Sequence, residues 1–202
     1  MLIRLVCGRS NYQQTPLPYP PLAKLVRKFD NLWPAISLFG KSLRAQAMNW
    51  NADEKIKELG LTLPPAPKAI GVYKPAVVCG HLLYTSGHGP LQTDGSLIRG
   101  VVGKEATKED GYAAAKQTGL ALLATLQKEL GSLNRVKRLV KLLGMVQCTP
   151  EFDQHPAVIN GCSELFAAVF GADHGVGARS AVGLTSLPLG MMVEIEAIFE
   201  IQ

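Results

Sequence analysis

The chain has 202 residues, 47% hydrophobic and 18% charged, with a formal net charge of +5. That length suits one domain with a full core and is short for two, and no apolar run approaches the roughly 18 residues that span a bilayer, so a soluble chain is expected. The charge is uneven: residues 1–47 hold seven basic residues against Asp30 alone, whereas residues 48–202 hold 14 basic and 15 acidic ones, which excludes the broad positive face that large-scale phosphate binding needs.

Residues 1–47 are broken by Pro16, Pro18, Pro20, Pro21 and Pro34 and read as an N-terminal extension without a core of its own. The composition fits an organellar transit peptide and also a translation start placed upstream of Met48. The second reading is preferred and implies a cytoplasmic protein; the first implies a mitochondrion or plastid. Residues 48–202 are expected to form a single domain. It opens on a short helix after Met48 with acids early and Gly60 at its end.

A Pro-rich connector, residues 63–68, leads to two short strands within residues 76–86, turned at Gly80-His81. The apolar run Leu97 to Val102 is a candidate third strand. Thr107 then stands at an N-cap with Glu109 and Asp110 behind it, ahead of apolar positions on a helical period that stops at Gly131. A strand is predicted over Val136 to Cys148. Pro156 sits near the start of a second helix running to Gly171. Strands over Ala178 to Leu184 and Met191 to Ile201 close the chain. The order ββ(β)αβαββ implies an α+β domain, two helices laid on one face of a mixed sheet.

Arg135, Lys137, Arg138 and Lys141 cluster on the third predicted long element and read as the solvated edge of a strand, where Lys blocks unwanted pairing. Cys7, Cys79, Cys148 and Cys162 show no ligand spacing, and His81, His88, His155 and His174 are scattered, so neither a metal site nor a disulfide framework is expected. After Lys141 the chain carries a single Lys or Arg, Arg179, in the small-residue run Gly-Ala-Arg-Ser-Ala-Val-Gly. A lone guanidinium there is either tied to a carboxylate of its own chain, with Glu194 and Glu196 as candidates, or open to a carboxylate from outside. On the last strand Val193, Ile195, Ala197, Phe199 and Ile201 share one face and Glu194, Glu196 and Glu200 the other.

The chain resembles the RidA family of reactive-intermediate deaminases, also called the YjgF family. The resemblance runs from about Lys68 to the C-terminus and rests on Ile-Gly-Val-Tyr73 with Pro75, on Thr85-Ser-Gly-His-Gly-Pro90, on Val158-Ile-Asn-Gly161, and above all on Ala178-Arg-Ser180 with Leu187-Pro188 and Val193-Glu-Ile-Glu-Ala-Ile198. It implies a chorismate-mutase-like fold of the bacillus type, a homotrimer with clefts between subunits, and no cofactor. It further implies that Arg179 binds a substrate carboxylate, that Tyr73, Gly87 and Asn160 line the site, and that Glu194 handles water. The implied activity is that of a 2-iminobutanoate/2-iminopropanoate deaminase, hydrolysing 2-imino acids to 2-oxo acids and ammonia. Two positions depart from the familiar pattern: Ala181 stands where Cys is common, and Gly87-His-Gly-Pro90 replaces a Gly-Gln-Ile-Pro turn.

Two other readings accompany this one. A non-catalytic sensor of 2-oxo acids would use the same cleft without turnover. RNA cleavage or translational inhibition, labels the family also carries, is the weakest of the three because residues 48–202 are not basic. Since residues 1–47 contribute no core, a protein starting at Met48 is expected to keep its urea midpoint; a loss of several kcal/mol, the size of a core defect, would make the segment structural.

Overall fold

The structure, a computed structural model, describes residues 50–202, so the expectation for residues 1–47 lies outside the described residues. Helix α1 (Ala52–Glu58) starts where Asn51 caps it by accepting from the Glu54 amide at 3.1 Å, with Asp53 and Glu54 in the first turn. Asp53 also accepts from the Leu133 amide at 3.0 Å, and the Trp50 indole donates to the Val169 carbonyl at 2.8 Å. These bonds tie α1 to the rest of the described residues.

Strands β1 (Ala76–Cys79) and β2 (Leu82–Thr85) form the expected hairpin, turned by Gly80 at φ +60°. Helix α2 (Lys108–Leu130) begins in a full capping box: Thr107 accepts from the Asp110 amide while the Asp110 carboxylate accepts from the Thr107 amide. It ends at Gly131 in the left-handed region. Strand β3 (Val136–Gln147), helix α3 (His155–Phe170), the short α4 (Ala172–Gly175), and strands β4 (Ala178–Leu184) and β5 (Val193–Ile201) complete the order.

One five-stranded sheet results, in the order β1-β2-β5-β3-β4. The β3–β4 pair is parallel and is joined by the α3 crossover; every other pair is antiparallel. Helices α2 and α3 cover one face. Leu142, Val146, Val193, Ile195 and Phe199 are fully buried beneath them, and Phe166 of α3 meets Phe199 edge-on at 5.7 Å. The mixed sheet with helices on one face is the fold read from the sequence. No helix among the described residues is long and apolar enough to cross a membrane.

The run Leu97 to Val102 is not a third strand. Leu97 bridges Leu91, Arg99 bridges Met191, and Val102 bridges both Ala106 and Cys148. Four separate partners make no ladder; the run is apolar because Val102 is buried, not because it is paired as a strand. The edge reading of the basic cluster holds for part of β3: pairing with β4 begins only at Lys141, so before that point β3 has β5 alone as a neighbour. There Lys137 and Arg138 reach Glu200, and Arg135 donates to the Leu130 and Gln202 carbonyls.

The two helices approach closely at Gly161, where an added Cβ would collide with the Tyr112 carbonyl of α2. Gly161→Ala should therefore destabilise by about 1–3 kcal/mol through overpacking, although helix propensity alone favours Ala by up to about 1 kcal/mol. Urea unfolding decides the sign; a stabilised variant would show that the helices are free to separate.

Candidate functional site

Pairing register decides where the candidate residues lie. Arg179 pairs with Leu142, which pairs with Ala197; both partners are buried under the helices, so Arg179 is on the helix face. Glu194 pairs with Met145, which pairs with Val182, on the opposite face. The two residues are two strands apart, about 10 Å, and three residues apart along the strands, about another 10 Å. Within one chain they cannot touch the same small molecule.

On the helix face the Arg179 Nη1 donates to Asn160 Oδ1 at 2.8 Å and to Ser163 Oγ at 3.0 Å. Those acceptors stand one turn apart on α3, so both reach the same guanidinium nitrogen. Both are neutral. Among the described residues no carboxylate comes within ion-pair distance of Arg179, so the expected alternative of a tie to Glu194 or Glu196 is not what the chain adopts. The guanidinium borders a cavity of about 350 Å³ lined also by Leu139, Leu142, Val176 and Gly177.

On the other side, the main chain of His88 exchanges two hydrogen bonds with Ile195, each 2.9 Å, which lays residues 86–90 against β5. Gly87 is thereby set against the Glu194 carboxylate so closely that a Cβ would overlap it. Gly87 and Tyr73 both line an apolar cavity of about 180 Å³ together with Pro67, Ile70, Leu97, Leu189 and Met191. Half-burial pushes the Glu194 carboxyl above its ordinary range, and Glu196 beside it adds to the effect. The candidate residues thus fall into two groups, Arg179 with Asn160 and Tyr73 with Gly87 and Glu194. Among the described residues no cluster of three metal-ligating side chains occurs.

Ser163 was missed in the sequence, although its place one turn after Asn160 was a usable signal. His88 is also defined more closely. Its Nδ1 lies 2.7 Å from the Ser86 carbonyl, which can only accept, so Nδ1 carries the proton and Nε2 accepts from Thr125 Oγ1 at 2.8 Å. Burial lowers its pKa, in keeping with a neutral ring. His88 therefore supports the loop that carries Gly87.

A family model described as "YjgF/chorismate_mutase-like, putative endoribonuclease" matches residues 53–198. Protein TCP17 of Trypanosoma cruzi is 38% identical over 146 residues, covering 72% of this chain and 91% of that protein. The crystal structure of protein Atu1372 from Agrobacterium tumefaciens, described as of unknown function, is 39% identical with a TM-score of 0.69 over 79% of this chain and 99% of that one. A structure from Shewanella oneidensis, described as a "putative endoribonuclease", is 28% identical with a TM-score of 0.72 over 75% and 99%.

Because the folded His88 binds its proton more weakly than the ring's ordinary 6.5, the unfolded chain takes up protons first on acidification. The stability it contributes is full above about pH 6.5 and declines as pH falls toward the depressed folded value. His88→Gln should be less stable at pH 7 and should flatten the fall below about pH 6.5, as read from urea midpoints; an unchanged slope would place that proton uptake elsewhere.

Proposed function

Given that the chain belongs to the YjgF/RidA family, we propose that it hydrolyses 2-imino acids to 2-oxo acids and ammonia, in clefts built between the subunits of a homotrimer. The observation that carries this reading is Arg179: a guanidinium held by two neutral acceptors, with no carboxylate partner among the described residues, beside an open cavity. Its remaining N–H groups form the fork that a substrate carboxylate accepts.

The face opposite the helices supports the assembly. It carries Val77, Tyr84 and Val182, each about 40–50% exposed, beside Glu194 and Glu196. A neighbouring subunit covering that face would bring its own Arg179 toward this chain's Glu194. One substrate then meets both, which a single chain forbids.

In that cleft Arg179 fixes the carboxylate and so orients the adjacent C=N carbon. Glu194 takes a proton from water as its oxygen adds to that carbon, then returns the proton to nitrogen. The carbinolamine hydroxyl then gives its proton to Glu194, which passes it to the nitrogen as the C=O bond forms, the C–N bond breaks and ammonia leaves. A carboxyl raised above its ordinary range is a better base for this step than an exposed one. The apolar cavity beside Tyr73 and Gly87 takes the substrate's side chain. At about 180 Å³ it exceeds the space in which a buried apolar site of about 150 Å³ holds benzene, so branched and aromatic side chains fit. The endoribonuclease descriptions belong to the relatives; here residues 48–202 lack a basic excess, and Arg135, Lys137 and Arg138 are engaged by groups of their own chain.

Ammonia release from imines generated in situ, together with thermal shifts by 2-oxo acids, tests the reading. Arg179→Ala should lose both turnover and 2-oxo acid binding, while Glu194→Gln should keep binding and lose turnover by roughly 10²-fold or more. Co-assembled from separately inactive chains, the two variants should regain about a quarter of wild-type activity, the share of intact sites in randomly mixed trimers. No recovery on proven mixing would place the site within one chain. Binding by the wild type without turnover on imines from alanine, leucine or phenylalanine would make the protein a sensor.

A further inference from the structure

Neither group of candidate residues includes a second pair of chemically active side chains. Cys148 follows β3 directly and His155 opens α3, and the six residues between them fold back so that Cys148 Sγ lies 3.3 Å from His155 Nε2. Phe152 in that loop holds the imidazole edge-on, with ring centroids 5.4 Å apart. On β4, Gly183 leaves the space both groups use: a Cβ there would stand 2.7 Å from the sulfur and collide with the imidazole. Three separate parts of the chain therefore keep the pair together. We propose that Cys148 and His155 form a second reactive centre, a base-assisted thiol that captures small unsaturated carbonyl compounds.

Among the described residues no charged group forms an ion pair with either member of the pair. β4 brings Val182, Gly183 and Leu184, none of them titratable, and β3 brings Gln147. The first turn of α3 holds no acid. In the intervening loop Glu151 and Asp153 are exposed and form no ion pair with His155. The segment that bridges Cys148 at Val102 carries Lys104, which is exposed, and Glu105, whose carboxylate accepts from the Val101 amide. Burial pushes the Cys148 thiol upward, so little free thiolate forms at neutral pH. Its route to reaction is through the base.

As Sγ bonds to the β-carbon of the unsaturated carbonyl, the thiol proton passes to Nε2. The C=C electron pair moves to the α-carbon, which then takes that proton from Nε2. Nothing is released and no oxidant is needed. The chain supplies its own comparisons: Cys79 is exposed without a base, Cys162 is buried at 0% exposure without one, and Cys148 is 7% exposed with one.

Acrylamide labelling of the native full-length protein between pH 5 and 10, resolved to each cysteine by peptide mass spectrometry, tests the proposal. A base-assisted Cys148 should level off at a lower pH than Cys79, which is exposed and has no base beside it. His155→Ala should slow Cys148 at pH 7 by roughly tenfold or more and move its inflection above that of Cys79. A Cys148 profile parallel to that of Cys79, or labelling no faster than that of Cys162, would overturn the proposal. The wild-type profile decides this alone if His155→Ala does not fold.

Discussion

Strand alternation under a one-sided helical layer is the constraint on which the rest depends. With α2 and α3 on one face only, each residue of β4 and β5 is committed either to the helices or to the bare side, and a shift of one residue would reverse every assignment. Leu142 ties the arrangement together. It pairs with Arg179 on one side and Ala197 on the other, so its burial fixes both neighbours to the helix face. Arg179 is then held by α3, and Glu194, three residues before Ala197, falls on the bare side.

That division gives the two faces different chemistry. The helix face offers neutral side-chain acceptors, Asn160 and Ser163, which orient a guanidinium without cancelling its charge. The bare face offers a half-buried carboxylate pressed against a glycine, beside an apolar cavity. Each holds what the other lacks. A guanidinium and a carboxylate side by side on one face would neutralise each other as an ion pair, whereas separation leaves Arg179 without an acidic partner among the described residues.

Much of this was legible in the sequence, for local reasons. Thr107 and Asp110 marked the start of α2 and Gly131 its end, because capping chemistry is confined to a few neighbouring residues. The ends of β4 were legible because small residues and a glycine flank it, and the faces of β5 because its alternation is strict. Leu97 to Val102 misled because apolar character records burial, not pairing. The opposition of Arg179 and Glu194 was hidden in pairing register, which runs unbroken from Leu142 to Met145 against both neighbours and is not written in any one strand's own sequence. Cys148 and His155 are seven positions apart, with no periodicity to suggest that a loop and a distant glycine would join them.

The place of β4 has a consequence for the order in which the molecule assembles. Its partner β3 is parallel, so the two can pair only after the crossover through α3 has closed, whereas the β1–β2 hairpin needs a two-residue turn. As an end strand it gains a hydrogen-bonded neighbour on one side only. The arginine thus rides on an end strand joined to the sheet through a long crossover, while Glu194 lies between β3 and the His88 segment.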